Sequence, residues 1–284
     1  MDATQSAQAC EAMRAGPRLA GARNFRDAGG YRVPDGRRVR RHRLFRSGEL
    51  SRLTEQDVAI LEGLGLRELF DLRSPAERLD RPGRWPRDDS VERWSEDVAM
   101  GVASHARRLR DLLAEDPGAG GARRMMLETY RMLPTQCANV IRALMTRLAL
   151  GDGPVLVHCT AGKDRTGVVC ACVQYALGMT KDAIFADYLL SAERLDREAL
   201  REPIERVINQ GMGVVVDQGG LDVINSVSGE FLTAMFESVE ARFGTMDGLL
   251  SWSGVDVDTL ARLKERMLES PPTAREEPQR TTLE

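Results

Sequence analysis

The fold is decided by Val155-Leu156-Val157-His158-Cys159-Thr160-Ala161-Gly162-Lys163-Asp164-Arg165-Thr166-Gly167. Residues 154–158 (PVLVH) form a short apolar run suited to a central strand. Cys159 opens a tight loop, Arg165 closes it, and a helix buried on most of its circumference is predicted over 166–177. In such a strand–loop–helix passage the amides of Thr160, Ala161, Gly162, Lys163, Asp164 and Arg165 can turn inward. The positive end of the helix dipole lies behind them, which makes a site for a tetrahedral anion. Arg165 adds a planar, permanently charged fork for two oxygens. Gly162 supplies a backbone angle that other residues resist.

The same field acts on Cys159. A free thiol has a pKa of ~8.5, and thiols at helix N-termini fall to roughly 3.5–7.5. Cys159 therefore reads as a nucleophile toward phosphorus, forming a phosphocysteine that water then hydrolyses. His158 is expected to fix the cysteine backbone by hydrogen bonding, and Thr166 to offer its hydroxyl to the sulfur. The leaving oxygen needs a proton. Two carboxylates qualify: Asp164 inside the loop, and Asp71 at the C-terminal end of another predicted strand, the edge where open α/β sheets bind ligands. The residues leave that choice open, with Asp164 slightly ahead. Lys163 raises the local positive potential and is expected to meet a second anionic group on the substrate. A bare Cys-x5-Arg spacing arises often by chance; the whole string between a strand and a helix does not.

Outward from this segment, strands alternate with helices. Gly29-Gly30 and Pro34-Asp35-Gly36 mark a hairpin, and 44–46 reads as a strand. Thr54 with Asp57 resembles a capping box ahead of Val58, Leu61 and Leu64 at helical spacing. Residues 66–72 (LRELFDL) form a predicted buried strand, followed by Ser74, Pro75 and Glu77 as cap, first helical residue and capping-box partner. Another strand is predicted over 91–95, and helices over 103–115, 121–133 and 135–149, with Pro134 as a break. Further helices are predicted near 180–190, 192–209 and 229–243, and from Asp256 onward. The pattern predicts an α/β fold with a central, mostly parallel sheet flanked by helices, and a helical C-terminal half. The domain expectation is a flexible arm over 1–20, one domain over 21–269 and a disordered tail over 270–284.

Composition narrows the function classes. With 284 residues, 42% hydrophobic, the chain can bury one large core. A formal net charge of -3 gives no whole-chain reason to expect nucleic acid. The arginines at 37, 38, 40, 41 and 43 read as a solvated face ahead of an acidic-lipid contact. No run is long enough to cross a bilayer, and the N-terminus lacks a secretory pattern, so a cytoplasmic location is expected, with leaderless export the alternative. Five cysteines at irregular spacing argue against a disulfide framework. Cys170 and Cys172 read as buried small hydrophobes ahead of a zinc pair. No metal or other cofactor is expected, because the loop itself supplies the positive field.

These motifs resemble the atypical tyrosine phosphatases of bacteria and fungi whose loop reads HCxxGKDRTG. The resemblance extends over roughly residues 20–270. It includes Asn24-Phe25-Arg26-Asp27 with Gly29-Gly30-Tyr31, and Phe45-Arg46-Ser47 with Leu50-Ser51-Arg52-Leu53-Thr54. It also includes Asp71-Leu72-Arg73-Ser74 with Glu77, and Asp187-Tyr188-Leu189-Leu190-Ser191. It implies a cysteine-phosphatase fold, Cys159 as nucleophile, Arg165 as phosphate ligand, Asp164 as a candidate acid, and lid helices within 180–227. Asn24, Arg26 and Asp27 read as scaffold, and Arg46 as a partner for Asp27 or Asp71. The expected activity is hydrolysis of phosphotyrosine, with phosphoserine, phosphothreonine, phosphoinositides or small phosphate esters as alternative substrates. A non-catalytic phosphate-binding module and a sulfur transferase are the rival classes. The sequence says nothing of oligomeric state.

Overall fold

A computed structural model describes residues 17–84, 91–96, 98 and 103–270. Of the expected arm over 1–20 and tail over 270–284, residues 1–16 and 271–284 lie outside the described residues. The main sheet has the order β1-β3-β6-β4-β5, built from β1 (Arg26–Asp27), β3 (Leu44–Ser47), β4 (Glu68–Asp71), β5 (Glu92–Ser95) and β6 (Val155–His158). The pairings β3–β6, β6–β4 and β4–β5 are parallel, and β1 closes one edge antiparallel to β3. Register aligns Ser47, His158 and Asp71 in one row. The loops after β3, β6 and β4 therefore leave the sheet side by side, at the edge where such sheets hold ligands.

Strand side chains alternate between two cores. Phe45, Leu69 and Leu156 join a smaller cluster with Phe25, Leu53 and Leu61, under α1 (Glu55–Gly63). Leu44, Phe70, Val155 and Val157 join the larger cluster on the other face. Because β6 is buried on both faces, its first three residues, Val155, Leu156 and Val157, are all apolar and do not alternate. Thr54 and Asp57 form the capping box of α1, and the Asp57 carboxylate also accepts from the amides of Ala20 and Gly21 at 2.7 and 2.8 Å. Ser74 and Glu77 do the same for α2 (Pro75–Asp80).

The larger face carries the remaining helices. After α3 (Ala103–Glu115), α4 (Ala119–Gln136) and α5 (Ala138–Leu150) meet end to end at Cys137. Pro134 lies inside the last turn of α4, and the break expected at it falls three residues later, at Cys137. α6 (Arg165–Ala176) is buried at every position from Thr166 to Gln174 and packs on α4, α5, β3 and β6. Cys170 and Cys172 lie wholly in this apolar interior, where burial pushes their thiols up to about 11 and about 12.

The chain continues through α7 (Lys181–Leu189), α8 (Ser191–Arg194), α9 (Arg197–Met212) and α10 (Gln218–Ile224). It ends with α11 (Gly229–Phe243), α12 (Met246–Trp252) and α13 (Val257–Met267). A linker over 213–217 separates α9 from α10. The predicted hairpin forms, with Gly36 at φ +90°, and its second strand β2 (Arg38–Val39) pairs with β7 (Leu268–Glu269) from the far end of the chain. No helix among the described residues is long and apolar enough to cross a membrane.

Candidate active site

Cys159 follows β6 directly, with its side chain buried at the base of the loop and its Sγ accepting from the Gly162 amide at 3.3 Å. Gly162 adopts φ +70°, and a Cβ there would sit 2.3 Å from the Ser47 carbonyl oxygen. Only glycine satisfies both the angle and the approach. The loop is held from behind through its carbonyls. Asn24 Nδ2 donates to the Gly162 and Ala161 oxygens at 2.9 and 3.3 Å, and Arg46 Nη2 donates to the Gly162 oxygen at 3.0 Å. A peptide whose carbonyl is held outward presents the N–H on its other side inward.

Arg46 pairs with neither Asp27 nor Asp71. Its Nη1 donates to Asp187 Oδ2 at 2.6 Å, and Arg26 Nε donates to Asp187 Oδ1 at 3.0 Å. Gln174 Nε2 and the Tyr31 hydroxyl complete the shell of Asp187. Burial alone would raise the Asp187 carboxyl, but Arg26 and Arg46 override it and hold the group well below the usual carboxylate range. Asp27 serves the backbone, accepting from the amides of Gly29 and His42, each at 2.8 Å.

Arg165 begins α6 and is gripped by Glu77: Nη1 donates to Oε2 and Nη2 to Oε1, both at 2.7 Å. Nη1 also donates to the Leu72 carbonyl at 3.0 Å, and the Thr160 hydroxyl donates to Glu77. Burial would raise Glu77, but the hydrogen bonds and charge of Arg165 win and bring it down to about 2. The Thr166 hydroxyl is fully buried with no hydrogen-bond partner among the described residues. His158 lies under the loop with Nδ1 at 3.3 Å from the Cys159 carbonyl and Nε2 at 3.7 Å from Asp71. Burial pushes its imidazole down to about 4, so the ring is neutral at physiological pH.

The two candidate acids differ in setting. Asp71 is engaged by Arg73, whose Nε and Nη2 donate to it at 2.9 and 2.7 Å. Burial would raise Asp71, but the Arg73 hydrogen bonds overcome it and lower the carboxyl. Asp164 keeps 27% of its side chain exposed and accepts from the Tyr130 hydroxyl at 2.6 Å. Tyr130 in turn meets the Tyr188 hydroxyl at 2.7 Å. Burial, then the Asp164 charge, pushes the Tyr130 phenol well up, so it stays a donor. Lys163 differs from expectation. Its buried ammonium donates to the carbonyls of Ile224 and Ser226 and lies 3.7 Å from Asp164 Oδ2. The last carbonyls of α10 lack partners within that helix and attract a cation, which is why the lysine turns there.

Three functional contacts were not foreseen. Glu77 read as a cap and a motif residue, Tyr130 was not singled out, and Asp187 read as part of a motif without a partner. None has a local signal, because each partner lies far along the chain.

A cysteine at the base of a tight loop that ends in an arginine, at the ligand edge of a parallel sheet, is the arrangement that a cysteine-dependent phosphatase requires. Residues 17–269 match the model of the tyrosine phosphatase family. The chain belongs to that family. It is 34% identical over 277 residues to the triple specificity protein phosphatase PtpB of Mycobacterium tuberculosis, covering 88% of this chain and 98% of that one. It is 32% identical over 249 residues to a putative tyrosine-protein phosphatase of Cupriavidus necator, covering 86% and 85%. A tyrosine-protein phosphatase of Nostoc commune is 27% identical over 227 residues, covering 78% and 73%.

Proposed function

We propose that this phosphatase hydrolyses phosphotyrosine in proteins through a phosphocysteine, with Cys159 as nucleophile and Asp164 as general acid. The observation that carries the mechanism is the loop: Cys159 Sγ lies against the Gly162 amide while Arg165 is held at the rim by Glu77. The amides of residues 160–165 and the Arg165 guanidinium would bind the three non-bridging oxygens of the phosphate. Sγ forms the S–P bond as the P–O bond breaks, and the leaving oxygen takes the Asp164 proton. Water then attacks phosphorus, Asp164 takes its proton back, and the sulfur leaves, with the unpartnered Thr166 hydroxyl available to stabilise it. Neutral His158 supports the Cys159 backbone and transfers no proton.

Asp164 is preferred to Asp71 because Asp71 is held ionised by Arg73, whereas Asp164 is partly exposed beside the loop. The name of the mycobacterial relative supports testing more than one substrate class. Helices α9 and α10, with their linker, are the proposed lid, tied to the loop through Lys163 and the carbonyls of Ile224 and Ser226. The test is turnover of aryl phosphate, phosphopeptides and phosphoinositides in excess chelator. Cys159→Ser should abolish turnover and keep phosphate binding. Asp164→Asn should lower kcat most for esters with poor leaving groups, and Asp71→Asn should not. A fully active Cys159→Ser protein, or the reverse ranking of the two aspartates, would overturn the assignment.

A further inference from the structure

The end of the sheet away from Cys159 carries a second concentration of positive charge. A cleft of about 790 Å³ there is lined by Arg40, Arg43, Arg262 and Arg266, with Leu150 and Glu265. Arg43 stands immediately before β3, and Arg262 and Arg266 lie on α13. Arg43 donates to the carbonyls of Gly151 and Asp152 at 3.2 and 3.3 Å, just past the end of α5. Arg266 Nη2 donates to the Leu150 carbonyl at 3.4 Å and to Asp152 Oδ1 at 3.2 Å. Arg40 Nε donates to the Leu268 carbonyl at 3.3 Å.

Carbonyl partners orient a guanidinium without cancelling its charge. The lining has one carboxylate, Glu265, against four guanidinium groups. Asp152, the other nearby acid, is 95% exposed and its pair with Arg266 is screened by water. Arg43 Nε is buried with no acceptor among the described residues. Burial, then the like charges of Arg266 and Arg40, pull the Arg43 pKa down. The protein has gathered four cations here, and Glu265 and Asp152 offset only part of their mutual repulsion.

We propose that this cleft is an anion-binding site, separate from the catalytic loop, for a ligand bearing two or more phosphate groups. A guanidinium fork matches phosphate oxygens in pairs, and converging forks favour several phosphates over one. The length of β6, about 13 Å at ~3.3 Å per residue, separates the cleft from Cys159. A small ester in the catalytic loop cannot reach both sites, so the cleft holds its own ligand. The same phosphate chemistry is offered by a soluble polyphosphate and by phosphate headgroups at a membrane surface.

Tripolyphosphate is the soluble probe, titrated calorimetrically into the full-length protein. Its inhibition of aryl phosphate turnover reads the catalytic loop separately. Two binding events are expected, one competitive with aryl phosphate and one not. Arg262→Ala/Arg266→Ala should weaken the non-competitive event by at least about tenfold, through loss of two charge-assisted contacts. Aryl phosphate kcat/KM should be unchanged in that variant. Glu265→Gln should tighten the same event about twofold or more, a change of opposite sign that a folding defect does not produce. Flotation with phosphatidylcholine vesicles, with and without about 30 mol% phosphatidic acid, identifies the source. Flotation lost in the double arginine variant assigns a lipid headgroup, and soluble binding without flotation assigns a free anion. A single, competitive event in the native protein without flotation overturns the proposal. So does a non-competitive event unchanged in the double variant.

Discussion

Glu77→Gln is the substitution that best isolates how Arg165 is aimed. The carboxylate takes two guanidinium bonds of 2.7 Å, accepts from Thr160, and caps the Ser74 amide at 2.7 Å. A glutamine keeps one acceptor and turns an NH₂ toward a guanidinium that can only donate. Losing one charge-assisted bond costs roughly 1.5–3 kcal/mol. At ~1.4 kcal/mol per tenfold, kcat/KM should fall by about ten- to a hundredfold if Arg165 must sit correctly in the transition state. The carboxyl stands at about 2 against an ordinary 4.5, a difference equivalent to roughly 3 kcal/mol of preference for the ionised form, at ~1.4 kcal/mol per pH unit. The group's folded pKa is depressed, so its contribution to stability is present above pH 4.5 and lost as pH falls toward 2. The assay is aryl phosphate kinetics with inorganic phosphate as competitive inhibitor, plus urea midpoints at neutral pH and between pH 4.5 and 2. The stability gap between native and variant should narrow on acidification. Native kcat/KM and native phosphate inhibition in Glu77→Gln would refute the argument.

Other expectations follow from the same geometry. Asp187→Asn leaves Arg26 and Arg46 buried without a counter-charge, and should lower urea stability by about 3–5 kcal/mol; a loss below ~1 kcal/mol would show that the network is dispensable. Gly162→Ala should cut kcat at least about tenfold, because the new Cβ meets the Ser47 oxygen and the αL angle alone costs roughly 1–2 kcal/mol; normal kinetics would show that the loop relaxes freely. His158, pushed down to about 4 by burial, binds its proton more readily when unfolded, so stability should fall as pH drops from 6.5 through 4. Urea midpoints across that range should slope less in His158→Asn, and an identical slope would remove His158 as the cause.

What could be read in the sequence and what could not divide along chain distance. The cradle was legible because its parts are neighbours: a strand, a cysteine, a glycine, an arginine and a helix start within thirteen residues of one another. The anion binding proposed there would depend on backbone amides and a helix end, which local order determines. The caps at Thr54 and Ser74 were legible for the same reason. The parallel sheet followed from strands alternating with helices.

Only the tertiary structure could decide which charges meet. Glu77 lies 88 positions from Arg165, Tyr130 34 from Asp164, and Arg46 141 from Asp187. Periodicity and motif spacing carry no information on such pairings, because they are chosen when packing brings the elements together and burial removes water as the alternative partner. Lys163 shows the difference at one side chain. Its place in the loop suggested a contact with substrate, and its packing against the end of α10 gave it carbonyl partners instead. The chain order thus specifies the chemistry at the loop, while the fold specifies which side chains steady, orient and cover it.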